Sequence, residues 1–489
     1  MTDATPQEVT FLVIGAGFAG LGAAIRLTQA GHRDLVVLER ASDVGGTWRD
    51  NAYPGCRCDV PSNLYSYSFE ARPDWSETFP SQPELWDYLR SIVGKYRLGS
   101  YLRFGHEVTS ARWDAAHGGG GRWLVMTTKG TFSARYLIAG VGALVEPSLP
   151  DIPGIGTFQG TIMHSARWDQ RWQAAGRRVA VVGTGASAIQ IVPAIQPDAA
   201  HVTVFQRTAA FVMPHTNRPV RPWARALYRA LPPTQRAARL SIYWGRELLC
   251  LGFTRYPAIL KRAEAVWRRH MEGAIGDPVL RAQLTPTYDL GCKRILPSND
   301  FYPALAQPNV SLVTEKIIEL RPGTVVTADG AEHPVDTLIF ATGFHVIDNP
   351  MFGRITGADG RTLAQSFGQT YLGTVVPGFP NYFQLTGANT GLGHSSMLLM
   401  IESQLTFIID GIAKTQAAGG RFEVRPEVAA AYNAELQRRL PKTVWGSGCS
   451  SWYLDAGGRN LTLWPGFTFD FRRRTRTFRT DDFVLSASD

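Results

Sequence analysis

Charge is scarce in this chain: 19% of its 489 residues are Asp, Glu, Lys or Arg, against 44% hydrophobic. That balance excludes a disordered or coiled-coil protein. Cysteine is rarer still, five in all, and the close pair Cys56-x-Cys58 fits neither a zinc pattern nor a Cys-x-x-Cys redox motif. The cysteines therefore read as reduced structural thiols, and no metal site is expected. No apolar run reaches the ~18 residues of a spanning helix, so no integral membrane span is expected. The opening MTDATPQEV carries no basic segment, so no signal peptide is evident and a cytoplasmic location is expected. The net charge is +9, yet no nucleic-acid reader motif accompanies it, and nucleic acid is not expected as a partner.

Glycine, by contrast, is abundant: 49 residues without a collagen period. Special backbone sites account for it better. A buried strand from Phe11 to Ile14 runs into Gly15-x-Gly17-x-x-Gly20, then a small-residue helix that stops at Gly31, then the strand LVVLE ending at Glu39. The layout returns at 178–207, where Gly183-x-Gly185-x-Ser187-Ala188 follows RVAVV and precedes HVTVF. Two glycine turns, each between strand and helix, are a strong sign of two dinucleotide sites. The fold class expected is α/β: two Rossmann-like dinucleotide-binding domains with a helical insertion. The first domain takes residues 1–147 and 345–489, the second 155–214 and 291–344, with a Pro-rich linker near 148–154. The Arg-rich, aromatic segment 215–290 is the insertion. It reads as a cover for the site, a membrane-facing surface or a packed helical subdomain. AAHGGGG at 115–121 reads as a hairpin loop, and FRRRTRTFR at 471–479 as a solvated terminal face, with binding of anionic lipid or a partner as the alternatives.

The glycines admit pyrophosphate to the backbone, and the following helix supplies N–H donors. Glu39 ends the second strand of the first unit. A carboxylate there accepts hydrogen bonds from both hydroxyls of an adenosine ribose, as in FAD or NAD. In the second unit that position is Gln206, followed by Arg207 and Thr208. Loss of the carboxylate removes repulsion against a 2′-phosphate, and Arg207 supplies a fork for it, so this site reads as NADPH. FAD beside NADPH implies a flavoprotein reduced by NADPH. A disulfide reductase wants Cys-x4-Cys after the first unit, and Cys56-x-Cys58 is too short. Oxygen remains as acceptor.

The segment Phe158-x-Gly160-x-x-x-His164-x-x-x-Trp168-Asp169 resembles the F-x-G-x-x-x-H-x-x-x-W-[PD] fingerprint of type I Baeyer–Villiger monooxygenases, within the flavin-containing monooxygenase superfamily. Gly45-Gly46-Thr47-Trp48-x4-Tyr53-Pro54-Gly55-x3-Asp59 is similar to a second motif of that family, and FATGF at 340–344 to a third. The resemblance covers nearly the whole chain. It implies that NADPH reduces FAD and that O2 adds at flavin C4a. The resulting peroxide attacks a ketone, and the tetrahedral adduct rearranges to an ester or lactone while NADP+ stays bound. It puts Arg294, in Gly291-Cys292-Lys293-Arg294, beside the reacting oxygen as a cation that cannot lose its proton, with Asp59 as its counter-charge. Lys293 joins Arg207 and Thr208 at the 2′-phosphate, and Gly183, Gly185 and Ser187 hold the NADP pyrophosphate. Gly15, Gly17, Gly20, Glu39, Thr47, Trp48, Asp59 and Tyr65 fall to FAD. Phe158, Gly160, His164 and Trp168 form an inter-domain hinge, His164 lying in the linker. Trp452 becomes a clamp over the nicotinamide, and Met397 lines the ketone pocket. Oxygenation of an amine or sulfide is the alternative; Trp168-Asp169 with Asp59 and Arg294 favour the ketone. Oligomeric state is not written in the sequence.

Overall fold

The first βαβ unit forms where an apolar run meets a turn that side chains would obstruct. β1 (Gln7–Ile14) leads to α1 (Phe18–Gln29) and β2 (Leu35–Glu39). β2 is buried throughout and pairs in parallel with β1, Phe11 opposite Leu35, as a strand covered on both faces does. A Cβ at Gly20 would lie 1.8 Å from the Gly15 carbonyl oxygen, so glycine alone lets α1 close onto the end of β1. After α2 (Gln82–Lys95) come β3 (Leu102–Phe104), β4 (Val108–Asp114), β5 (Arg122–Thr127) and β6 (Gly130–Ala139). β4, β5 and β6 form an antiparallel meander, and β6 returns parallel to β1. The computed structural model describes residues 5–116 and 120–487. The first four residues of the acidic start and the tip of the 115–121 hairpin loop lie outside the described residues.

The second unit comprises β7 (Thr161–His164), β8 (Arg178–Val182), α3 (Ala188–Ile195) and β9 (His201–Phe205). The chain then makes α4 (Pro222–Ala230), α5 (Pro232–Thr254), α6 (Ala258–Ala274) and two shorter helices, Pro278–Gln283 and Phe301–Leu305, before β10 (Val310–Val313) and β11 (Thr337–Phe340). The five strands are all parallel, in the order β10-β9-β8-β11-β7. His164 is not in a linker but on edge strand β7, with Phe340 opposite it. Four residues are too few for a readable alternation, so the strand is invisible to periodicity.

The remaining chain returns to the first sheet. β12 (Ile355–Thr356) pairs with β4, and β13 (Tyr382–Gln384) with β6, completing eight strands. α7 (Met397–Ala417) packs on α1, where Gly22 lets Leu405 approach. β14 (Gly420–Val424) and β15 (Phe483–Ala487) pair antiparallel near the end. The basic tail is not simply a solvated face. Phe471 and Phe478 are fully buried, and Arg474 binds Glu435 bidentately, 2.8 and 2.9 Å. The helical turn through 468–474 sends Phe471 inward while Arg472 and Arg473 point out.

Candidate active site

Both glycine turns face one cavity of about 1200 Å³. Gly15 (φ +94°) and Gly183 (φ +110°) hold equivalent places, each against the carbonyl of a neighbouring strand end. A Cβ would meet Gly140 O at 2.6 Å in the first and Ala341 O at 2.7 Å in the second. Gly185 has nothing within 4 Å of its Cβ direction, leaving backbone N–H groups open to a phosphate. Glu39 is buried at the rim of the first turn. Its Oε2 accepts from Ala16 N–H at 2.9 Å, and Oε1 from Ala41 N–H and Arg49. A carboxyl group held beside a glycine turn suits the hydroxyls of a ribose, so the residues present fit a dinucleotide.

In the same cavity stand Arg294 and Asp59, 235 residues apart in sequence. Arg294 Nε donates to Asp59 Oδ2 at 2.9 Å, and Nη2 donates to the same oxygen. Their side chains are 40% and 22% exposed, a surface that lines the cavity. Burial pushes the Asp59 carboxyl up, but the Arg294 guanidinium outweighs it and the net shift is downward. Asp59 in turn holds the Arg294 guanidinium firmly in its charged form against burial. Two neighbours were missed from sequence. Arg246, on α5, donates to the Asp59 carbonyl oxygen at 3.4 Å. Tyr453 is buried beside the pair, its hydroxyl pushed up to about 12 by burial. Arg246 lies seven residues after Arg239, and both turn inward (see below); among so many arginines that spacing was the sole signal. Cys56 and Cys58 are free and buried, and burial pushes the Cys56 thiol up to about 12. Neither is poised as a redox thiol.

The segment that supplies Arg294 also supplies Lys293, whose ammonium lies over the Tyr288 ring at 4.7 Å from its centre. Burial and the nearby Arg207 both lower its pKa. Two cations close enough to repel on one cavity make a place for a doubly charged anion. Gln206 donates to the Gln283 carbonyl at 2.8 Å, so the position of the missing acid is occupied by a structural amide. Thr208 and Ser187 line the same wall.

Trp48 donates from its indole to the Tyr65 hydroxyl at 3.2 Å, the rings edge to face. Thr47, Trp48 and Tyr65 line the cavity near the first turn, and Met397, Trp452 and Tyr453 line it from the C-terminal part of the chain. Phe158, Gly160, His164 and Trp168 are not part of that wall. Phe158 packs with Phe205 and Phe340 under the second sheet, and a Cβ on Gly160 would strike the Asp336 carbonyl oxygen at 2.4 Å. Trp168 stands edge to face with Trp172.

His164 is buried, accepts from Ala166 N–H through Nδ1 at 3.1 Å, and faces the Gly343 carbonyl with Nε2, also at 3.1 Å. Those partners require the Nε2–H tautomer. Burial lowers its pKa to about 4. The unfolded chain, with a pKa of about 6.5, binds the proton more readily than the fold. Stability therefore rises with pH from about 4 to 6.5. His164→Asn should flatten this dependence, removing about 2 kcal/mol of acid sensitivity between pH 7.5 and 5, read as the difference in Tm between those two pH values.

A disulfide joins Cys292 to Cys449, their Cα atoms 6.3 Å apart, against the expectation of reduced thiols. A sequence separation of 157 made the pairing unreadable, since nearness in the fold owes nothing to sequence spacing. The bridge ties the Lys293–Arg294 segment to the segment bearing Trp452 and Tyr453. Cys449→Ser should cost about 2–4 kcal/mol of stability in a denaturant titration. It should also raise the KM for the reduced nicotinamide several-fold while leaving ketone affinity nearly unchanged.

Residues 12–240 match a family model described as pyridine nucleotide-disulphide oxidoreductase. A Baeyer–Villiger monooxygenase of Streptomyces coelicolor is 50% identical, over 96% of this chain and 91% of the relative. Another, from Pseudomonas aeruginosa, is 42% identical over 100% of this chain and 93% of its own. Among solved structures, closed cyclohexanone monooxygenase superposes with a TM-score of 0.88 at 29% identity, covering 99% of this chain and 100% of that one. OTEMO in complex with FAD and NADP superposes at 0.87 with 26% identity, over 99% and 100%. Two glycine turns on one cavity, an arginine–aspartate pair between them and full-length likeness converge: the chain belongs to the Baeyer–Villiger monooxygenase family.

Proposed function

We propose that the protein is an FAD-dependent monooxygenase that consumes NADPH and O2 and inserts one oxygen atom next to a ketone carbonyl, giving an ester or lactone. The second oxygen atom leaves as water, and NADPH with one proton supplies the two electrons. The observation that carries this reading is the Arg294–Asp59 pair, set in the cavity that both glycine turns share.

FAD, held by the first glycine turn, would supply hydride acceptance from NADPH and activation of O2. The chain does the rest by position and charge. Gly15, Gly17 and Gly20 admit the FAD pyrophosphate, Glu39 receives its ribose, and Thr47, Trp48 and Tyr65 shape the wall beyond. Gly183, Gly185 and Ser187 admit the NADP pyrophosphate, with Arg207, Thr208 and Lys293 at the 2′-phosphate. Arg294 keeps a positive charge where the ketone oxygen gains negative charge, and Asp59 fixes its direction. Trp452 covers the nicotinamide side, and Met397 borders the ketone. Phe158, Gly160, His164 and Trp168 brace the second unit against the first. The domain limits given above, with 215–290 as an insertion, serve this arrangement. Among the described residues no helix is long and apolar enough to cross a membrane.

The test supplies the purified FAD-loaded protein with NADPH, 18O2 and a panel of cyclic, aryl and aliphatic ketones. One 18O atom in an ester or lactone is the expected result. NADPH oxidation that yields only hydrogen peroxide with every ketone, together with sulfoxide from a thioether, would move the assignment to soft-nucleophile oxygenation.

A further inference from the structure

Helix α5 is amphipathic the wrong way round. From Gln235 to Glu247 its inner face is polar, before Cys250 and Phe253 bury apolar groups in its last turns: Gln235 Nε2 donates to the Arg72 carbonyl at 2.7 Å, and Arg239 Nη1 to the Asn63 and Ser66 carbonyls at 2.7 and 3.0 Å. Arg246 reaches the Asp59 carbonyl on the same side, and Glu247 accepts from Thr468 N–H at 3.0 Å. Its outer face is apolar. Leu240, Trp244 and Leu248, one turn apart, are 57%, 55% and 67% exposed, and Leu249 accompanies them. Outward Phe469 extends the patch, its ring 6.2 Å from that of Trp244, and α4 adds exposed Trp223. A soluble surface helix turns such a stripe inward, and a contiguous apolar surface of this kind marks an interaction site.

The charge around the stripe identifies the partner. Residues 215–290 hold thirteen basic and five acidic side chains, a net +8 of the chain's +9. Exposed Arg236 on the helix and Arg255 just past its end bracket the stripe, about 28 Å apart at 1.5 Å per residue. Arg229, Arg472 and Arg473 are exposed on the neighbouring segments. A second copy of the chain is a poor occupant, since a two-fold contact sets this patch against itself and brings like charges together. Aromatic and leucine side chains rimmed by arginines match the boundary between anionic headgroups and acyl chains.

We infer that the outer face of α5, with Trp223 and Phe469, docks the enzyme onto an anionic lipid surface. The helix lies in the plane of that surface, its apolar stripe among the upper acyl chains and its arginines at the phosphates. The inference stands independently of the ketone chemistry.

The test is co-sedimentation of the FAD-loaded full chain with vesicles of phosphatidylglycerol and phosphatidylcholine, and with vesicles of phosphatidylcholine alone. Binding to the anionic vesicles is expected, weakened at least about tenfold by 0.5 M NaCl or by omission of phosphatidylglycerol. Trp244→Glu with Leu248→Glu should abolish it while NADPH oxidation in free solution stays unchanged. Arg236→Gln with Arg255→Gln should weaken it several-fold. No sedimentation with anionic vesicles at 0.1 M salt overturns the inference, as does equal binding to phosphatidylcholine alone. Unaltered binding of the double-glutamate variant overturns it too. So does a fall in its solution mass by light scattering, which would make the patch an interface between copies.

Discussion

Arg294→Ala should abolish ester formation while leaving NADPH oxidation in place, its electrons appearing as hydrogen peroxide. Removing one neutral donor from an oxyanion site costs about 10²–10³ in rate. Here a full, fixed charge is removed, and a loss of at least about 10³ in ester yield per NADPH is expected. Arg294→Lys should recover little. Burial favours a neutral lysine, and one ammonium cannot reproduce the two N–H groups that Arg294 points at Asp59 Oδ2. Asp59→Asn should fall between, because it keeps the shape and a hydrogen-bond acceptor but releases the guanidinium from its direction. The pH behaviour follows from the sign of the shift. The Asp59 carboxyl is held below the ordinary carboxylate range, chiefly by Arg294 working against burial. Its contribution to stability is complete above the unfolded value of about 3.9 and is lost as pH falls through the folded one. No acid limb in the ketone rate above about pH 5 should therefore trace to Asp59. The measurement is ester and peroxide quantified side by side for the three variants from pH 5 to 9. Unchanged coupling in Arg294→Ala would remove Arg294 from the reaction.

The glycine turns were legible in the sequence because the fold leaves no choice there. A Cβ at Gly15, Gly20 or Gly183 would meet a carbonyl oxygen within hard contact. Strand burial was legible for the same kind of reason: LVVLE has no polar face to turn outward, and β2 is covered on both sides. The pairing of Arg294 with Asp59 was not written in any spacing, since 235 residues and two sheets intervene. It entered through motif resemblance. The Cys292–Cys449 bridge had no such help and was missed. For α5 the period was readable but its direction was not. Leu240, Trp244 and Leu248 form the stripe that packing rules turn inward, and the carbonyls of 59–72 claim the arginine side instead. A local pattern gives the existence of two faces; which face is buried depends on what the rest of the chain offers.

The nicotinamide preference is the second large expected effect. Lys293→Ala together with Arg207→Ala should lower kcat/KM for NADPH by about 10²–10⁴, at 1.5–3 kcal/mol for each hydrogen bond to a charged group. The value for NADH should hardly move, because NADH has no 2′-phosphate for either cation to meet. The two single variants should not add. With Arg207 present, the Lys293 ammonium is depressed by burial and by its neighbour. Arg207→Ala removes a phosphate contact but also relieves that repulsion, making Lys293 a stronger cation. Arg207→Ala alone should therefore cost less than Lys293→Ala. Its NADPH affinity should also hold to higher pH than in the parent enzyme, where Lys293 deprotonates first. Gln206→Glu sharpens the contrast. It restores a carboxylate at the end of β9, beside the Gln283 carbonyl that now receives the amide, and so repels a 2′-phosphate while leaving the ribose hydroxyls an acceptor. Steady-state kinetics with both nicotinamides at pH 7, 8 and 9 read all of these effects at once. A uniform loss with NADPH and NADH would mean that the two cations hold the loop rather than the phosphate.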